Sequence, residues 1–504
     1  MKKLNIYWSR RDFRLTDNPA LHASLEKSKE KDNFFLPIFV LEDYMRIADP
    51  KYQFGYPSRY FLSKALPEFS KNFKSFFIVK GKGTQSIIDI CKKTNKDFEV
   101  EIFVNEDVYL DFYKQIKKIT KNNIKINIFK DQMTVDANTK TLTGNYYSIF
   151  TPFKKAVWES FLKAKEIPKV KESDLAFVNY FNLSKVDKMK EKILKNNFES
   201  LIKEFSENRK LKIPNSKEII DIDSLLDFKP DFENLDNFYF TEAEAIKRFD
   251  KYLKKDIVSY KDERDFLDKD KTSKMSLGLT FGLVSSRTLK SKIQKHFSED
   301  FILPSTSDSN LGVITFLSEL IWREFYKYLF YHNPNLMNQE FQEKFRNKIK
   351  WIDDKEAKKR FTSWIKGETG YKVVDAAMIE LAKTGFMHNR ARMIVSSVLT
   401  KNLGVDWRWG QEYFRAMLVD LDESSNNGGW QWGASVGADP KPIRIFNPYL
   451  QAENYDPQNI FQKKWLGENF NKDIKPIVEH KEARQSALER YGLANDKNTA
   501  FRDY

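Results

Sequence analysis

The chain has 504 residues, 41% hydrophobic and 15% aromatic, enough for two or three domains with sizeable cores. A net charge of +15 favours a polyanionic partner, although much of the excess is lysine, which commonly only solvates a surface. The single cysteine, Cys91, excludes an internal disulfide and any four-cysteine iron–sulfur or zinc site, and five histidines without ligand-like clustering argue against a metal.

The opening MKKLNIYWSRRDFRL has no apolar run long enough for a signal peptide or a membrane span, and no later stretch reaches that length. A soluble, cytoplasmic protein is expected. Residues 4–8, 33–41, 75–79, 98–105 and 124–129 are β-prone runs, separated by segments of helical spacing such as 60–72 and 84–93. Strands alternating with helices predict an α/β domain with a doubly wound parallel sheet over residues 1–150. No GxGxxG or P-loop motif follows any of these strands. Residues 151–240, lysine-rich from about 165 with scattered Pro and Asn, read as an interdomain linker, partly helical and partly irregular. Apolar residues then recur every three or four positions in 242–260, 311–331, 355–365 and 373–382, which predicts an all-helical domain over 241–504.

Residues 272–276 (TSKMS) place three hydroxyls and a cation ahead of a helix, a set that suits a pyrophosphate but equally an ordinary helix cap. Residues 420–432 read DLDESSNNGGWQW. Almost every side chain there carries a hydrogen-bonding group, and buried polar groups are costly unless paired, so a polar ligand in a pocket is expected. Gly428 and Gly429 suggest a tight turn or a close backbone approach to that ligand.

Around these segments stand GYKVVDAAMIELAKTGFMHNRARMIVSSVL (370–399), VDWRWGQEYF (405–414), RIFNP (444–448) and PIVEHKEAR (476–484), with RRDFRLTDNPAL near the start. Together they resemble the photolyase/cryptochrome family, and more narrowly microbial class I cyclobutane pyrimidine dimer photolyases. The resemblance runs from the first strand to about residue 484 and is thinnest at 165–240. It implies an antenna domain followed by an all-α flavin domain, FAD as cofactor and blue-light-driven repair of DNA. The lone Cys91 sets the chain apart from the family's iron–sulfur branch.

The resemblance also implies roles for individual residues. Tyr260, Thr272, Ser273, Lys274, Met275 and Ser276 would hold the FAD phosphates, with Lys274 where relatives have arginine; charge is kept and the bidentate fork lost. Asp420, Leu421 and Asp422 would lie around the flavin with Arg392 pairing Asp420, and Asn426 would face flavin N5. Trp430, Trp407 and Trp351 would relay an electron from the surface. Glu319, Trp322, Asn389, Met393 and Trp432 would receive the flipped dimer. Arg264, Arg390, Arg444 and Gln451 would contact DNA. A second, antenna chromophore stays open between methenyltetrahydrofolate and a deazaflavin, because Asp111 and Phe112 stand where folate-binding relatives carry Asn-Glu.

The implied enzyme is a deoxyribodipyrimidine photo-lyase, a carbon–carbon lyase acting as a monomer on damaged double- or single-stranded DNA, without a metal. The main rival is a cryptochrome-type photoreceptor using the same FAD and relay. Asn426, where plant cryptochromes tend to carry aspartate, leans towards repair, and His388 without a second histidine disfavours (6-4) repair. A light-independent DNA-binding module would account for the arginines but not for residues 420–432.

Overall fold

The computed structural model describes residues 2–46, 55–108, 110–205, 207, 209–214, 218–226, 238–269, 271–298, 310–439 and 443–493. Strand β1 (Lys2–Ser9) lies inside a sheet with β2 (Phe34–Glu42), β3 (Phe77–Gly81), β4 (Phe98–Asn105), β5 (Lys125–Phe129) and β6 (Ile193–Leu194). The order is β5-β4-β1-β2-β3-β6. The first five strands pair in parallel, with Leu4 opposite both Phe34 and Val100. Buried on both faces, β1 and β2 are near-continuous apolar runs, as covered parallel strands are.

On one face Leu4, Ile6, Trp8, Leu36 and Ile38 pack with Ile87 and Ile119. On the other, Tyr7, Phe35 and Phe103 join a core that continues into the helical half through Phe281, Leu320 and Tyr328. The rings of Phe61 and Phe281 meet across that junction at 4.2 Å. A buried polar lock accompanies it. Asp17 accepts from Arg287 Nε at 2.8 Å and from Ser285 Oγ at 2.5 Å, while Asp131 accepts from Arg14 and from Arg287 Nη2. Removing one partner of such a buried set typically costs about 3–5 kcal/mol, so the two halves are held in one orientation.

The connecting segment does more than span. Its β6 adds to the sheet antiparallel to β3, through Ile78 opposite Leu194, so the sheet is not wholly parallel. Further on, β7 (Lys210–Lys212) and β8 (Ile219–Asp221) form an antiparallel pair. Leu211 and Ile220 from this pair enter the core of the helical half. Beyond residue 238 the described residues form helices and no strand. None of these helices is long and apolar enough to cross a membrane.

Candidate functional site

Residues 420–432 supply an N-cap and the body of a helix, Glu423–Gly433. Asp422 caps it by accepting from Ser425 N–H at 3.0 Å and from Ser424 Oγ at 2.5 Å. The glycine pair therefore makes no turn. Gly428 leaves room for the Tyr326 ring, which a Cβ would meet at 2.1 Å, and a Cβ on exposed Gly429 would meet nothing within 4 Å. Helical context overrides glycine's propensity here, because the helix is fixed by its cap and by side chains bonded to its surroundings. Asn427 Nδ2 donates to Leu336 O at 2.9 Å and Gln411 Oε1 at 2.6 Å, and Gln431 Nε2 donates to Leu336 O and Asn427 Oδ1. Part of the polar density at 420–432 thus serves the fold.

Asn426 is different. Its Nδ2 donates to Gln411 O at 3.2 Å, and its Oδ1 is buried with no partner among the described residues. Leaving a buried acceptor unsatisfied costs about 1–3 kcal/mol, so this oxygen marks a place for a donor. Nearby in sequence, Asp420 takes both carboxylate oxygens to Arg392 Nη2, at 3.0 and 2.9 Å, while Arg392 Nε donates to Met387 O. The adjoining Leu421 is buried in the apolar core. Burial by itself would raise the Asp422 carboxyl. Lys327, 2.9 Å away and wholly buried, and Arg323 instead hold it well below the usual carboxylate range. Asp422 is thereby an anion fixed within the protein as well as a helix cap.

The 272–276 loop leads into a short helix, Ser276–Phe281. Lys274 sits at φ +54° and Met275 is right-handed helical. A left-handed residue beside a right-handed one turns successive N–H groups to one side, forming an anion-binding nest. Holding a non-glycine residue there costs roughly 1–2 kcal/mol, strain of the kind found at functional sites. Tyr239 OH pins the loop, donating to Lys274 O at 2.9 Å and accepting from Gly278 N–H at 3.0 Å. Tyr260 is buried, with the Arg264 guanidinium 5.2 Å from its ring centre.

One buried carboxyl lies outside the expected site residues. Glu380, inside the helix Lys372–Thr384, has a carboxyl pushed up to about 7 by burial, against the lowering influence of the His388 N–H and of Lys464, Lys274 and Arg392. Both Lys274 and Arg392 are near enough to act on its charge. His388 caps the helix Asn389–Ser397 through Nδ1, and burial takes it down to about 4. A charged residue in an otherwise apolar-periodic helix was the clue available for Glu380.

The three tryptophans expected to form a relay differ in exposure. Trp407 and Trp430 are buried and Trp351 is partly exposed. Trp407 donates from Nε1 to Glu340, and the Arg408 guanidinium lies 4.8 Å from its ring. Trp430 packs against Phe414 at 5.0 Å and Trp364 at 6.0 Å, in a gap that exists because residue 410 is glycine. Among the described residues no two of the three rings are in direct ring contact. Trp364, not expected in the relay, is the tryptophan touching Trp430.

The residues expected at lesion and DNA interlock. Glu319 and Trp322 lie on the helix Leu311–His332. Glu319 accepts from Arg264 Nη1 at 2.5 Å. Trp322 stacks on Phe150 at 3.6 Å with 9° between planes, so one face of its ring is covered. Arg390 pairs with Asp265 at 2.7 Å and lies 4.1 Å over Tyr455. Arg444 pairs with Asp439 at 2.8 Å and lies 5.0 Å over Trp432. Asn389 Nδ2 reaches Met393 Sδ at 3.7 Å. Gln451 is only 3% exposed, with Oε1 unpartnered among the described residues. The three arginines are therefore not bare cations: each already holds a carboxylate. No group of three His, Cys, Asp or Glu among the described residues could hold a metal.

A doubly wound sheet domain fused to a helical domain, with an orphan amide acceptor, a fixed Arg–Asp pair and an anion-binding nest in the helical half, defines a dinucleotide-cofactor protein. Residues 316–495 match the family model for the FAD binding domain of DNA photolyase, and residues 5–171 match the DNA photolyase model. The chain is 32% identical over 477 residues to a deoxyribodipyrimidine photo-lyase of Alkalihalophilus pseudofirmus, covering 92% of this chain and 87% of that protein. Its fold matches a class III photolyase of Agrobacterium tumefaciens with TM-score 0.76 at 25% identity, covering 98% of each chain. It also matches a cryptochrome of Synechocystis with TM-score 0.71 at 23% identity, covering 98% of this chain and 94% of that one. The chain belongs to the DNA photolyase family, and its cofactor is FAD.

The residues present fit that cofactor. Asn426 Oδ1 offers an acceptor that the N–H at N5 of a reduced flavin would satisfy. The Lys274 nest and the hydroxyls of Thr272, Ser273 and Ser276 suit phosphates, and the open space at Gly429 keeps the helix surface bare.

Proposed function

We propose that the chain is a light-driven lyase that splits cyclobutane pyrimidine dimers in DNA. The observation that carries this reading is Asn426, a buried amide with a spare acceptor and no transferable proton, on the segment that also carries the Asp420 partner of Arg392. When bound and reduced, FAD supplies the electron on absorbing blue light. The protein's own groups do the rest. Arg392, held by Asp420, keeps positive charge beside the electron-rich cofactor. Asn426 accepts a hydrogen bond without offering an acid. The edge of Trp322, Trp432 and Met393 give the flipped dimer apolar walls, and Glu319 and Asn389 meet its polar edges. Arg264, Arg390 and Arg444 exchange part of their carboxylate pairing for phosphate as DNA seats. Trp351, Trp407 and Trp430 carry electrons inward when the flavin is oxidised.

The deciding experiment is blue-light-dependent loss of thymine dimers from irradiated DNA by the purified, FAD-loaded protein. Repair in the light and none in the dark is expected. Light-dependent flavin reduction with dimers left intact would overturn the lyase reading and favour a cryptochrome-type photoreceptor, whose fold this chain shares.

A further inference from the structure

Beside Trp351, the relay residue nearest solvent, a concavity of about 260 Å³ opens between the turn after residue 343 and the chain at 489–492. That is just under the range of about 300–1,000 Å³ usual for small-molecule sites, room for a small ion. Lys344, Lys348 and Lys350 line it, all exposed, together with the rings of Phe345 and Tyr491. Two carboxylates stand nearby, against three lysines. Glu343 pairs with Arg346 at 3.0 Å, and Glu489, the acidic member of the lining, accepts from Gln485 at 3.0 Å. Among the described residues no carboxylate pairs with any of the three lysines. Arg490 adds no free fork, because it donates to Thr400 O and Lys401 O in the interior. Three like charges sharing one concavity repel, and a bound anion relieves that repulsion.

The aromatic wall connects this charge to the relay. Tyr491 meets the Trp351 ring edge-on at 6.1 Å and the Phe345 ring at 5.9 Å, and Lys344 Nζ lies 4.8 Å from the centre of Phe345. Phe345 and Tyr491 are largely covered, 9% and 6% exposed, so an anion held by the lysines is separated from Trp351 by one ring.

We propose that this concavity docks a small anionic one-electron reductant, of the ascorbate type, that refills Trp351 after the relay has fired. The proposal rests on the relay reading above. One electron passes from the donor to the oxidised indole, no bond between them forms or breaks, and the donor leaves as its one-electron-oxidised form. If the partly exposed indole has lost its N–H proton to solvent, solvent returns it. The lysines raise the donor's local concentration and encounter rate, an effect worth about 10- to 1,000-fold where charge is focused in a cleft and one that salt screens.

The test is laser-flash photolysis of the full-length protein with oxidised FAD, following decay of the tryptophan radical. Anionic ferrocyanide is compared with neutral hydroquinone in wild type, in the triple variant Lys344→Gln, Lys348→Gln, Lys350→Gln, and in Trp351→Phe. In wild type, ferrocyanide should shorten the radical's life saturably and in a salt-sensitive way. The triple variant should lose about tenfold of that rate, with hydroquinone unchanged. Loss of both rates equally, or of neither, overturns the docking site while leaving the relay intact. Undiminished ferrocyanide quenching in Trp351→Phe overturns it too, since the relay would then surface elsewhere. Absence of any tryptophan radical in wild type overturns the relay and the docking site together.

Discussion

Arg264 and Glu319, 55 residues apart in sequence, meet through one hydrogen bond of 2.5 Å. With the first proposed to hold the DNA backbone and the second the lesion, phosphate contact and lesion contact would draw on the same ion pair. The two substitutions should therefore be non-additive. Arg264→Ala should weaken binding to damaged and plain duplexes alike and lower the slope of log affinity against log salt by about one unit. Glu319→Gln should raise affinity for plain duplex, because it releases the guanidinium. A double-mutant cycle should give a coupling of about 0.5–1 kcal/mol, modest because both side chains keep some solvent contact. Filter binding across a salt series measures all of these, and strict additivity would mean that the pair opens before DNA arrives.

Trp407 is fully buried between Glu340 and the Arg408 guanidinium. Trp407→Phe keeps an aromatic ring there but is much harder to oxidise. Photoreduction of oxidised flavin should fall by at least tenfold, while repair by protein reduced chemically beforehand should stay near wild type. Unimpaired photoreduction would point to Trp364, the tryptophan in contact with Trp430.

How far these features could be read in advance depended on their sequence range. Strand β4 lies where its β-prone run predicts it, at Phe98–Asn105, because Val100, Ile102 and Val104 alternate into the core between mostly more polar neighbours. The residue pairs in β6 and the three-residue strands β7 and β8 are too short to carry a period, so their pairing was invisible. The Arg392–Asp420 pair was legible through the family's long motifs. The stacking of Phe150 on Trp322 and the pairing of Lys327 with Asp422 were not, since both join distant segments. Of the two roles the double glycine suggests, the turn is absent, because the Asp422 cap and the Asn427 and Gln431 bonds hold that stretch helical.

Glu380 should leave a signature in stability against pH. Its folded carboxyl is raised to about 7, whereas an unfolded glutamate titrates near 4.3. Between those values the native state holds a proton that the unfolded state has released, so stability falls as pH rises through this window. The penalty is absent below the lower value and complete above the upper one, at roughly 4 kcal/mol. Glu380→Gln should flatten that slope, with a higher Tm than wild type at pH 8 and nearly the same Tm at pH 4.5. Thermal melts of the FAD-free protein across the range decide it. Parallel curves for the two proteins would mean that Glu380 keeps an ordinary carboxyl.

Gly428 and Gly429, adjacent in one helix, should respond in opposite ways to the same substitution. A Cβ at 428 would press into the Tyr326 ring at 2.1 Å. Tyr326 is itself wedged beside Trp322 and cannot swing clear without disturbing that ring. Gly428→Ala should therefore destabilise the FAD-free protein by about 1–3 kcal/mol, the usual cost of overpacking. At 429 a Cβ meets nothing, and alanine in a helix interior gains up to about 1 kcal/mol over glycine. Gly429→Ala should leave the FAD-free protein as stable as wild type or more so. If the open space there is reserved for the cofactor and the dimer, the same variant should bind FAD or dimer-containing DNA at least tenfold more weakly. Chemical denaturation of the FAD-free form, fluorescence titration with FAD and filter binding on damaged duplex separate the two effects. A Gly429→Ala protein that is stable and binds both ligands normally would show that this face of the helix looks onto solvent and not onto the site.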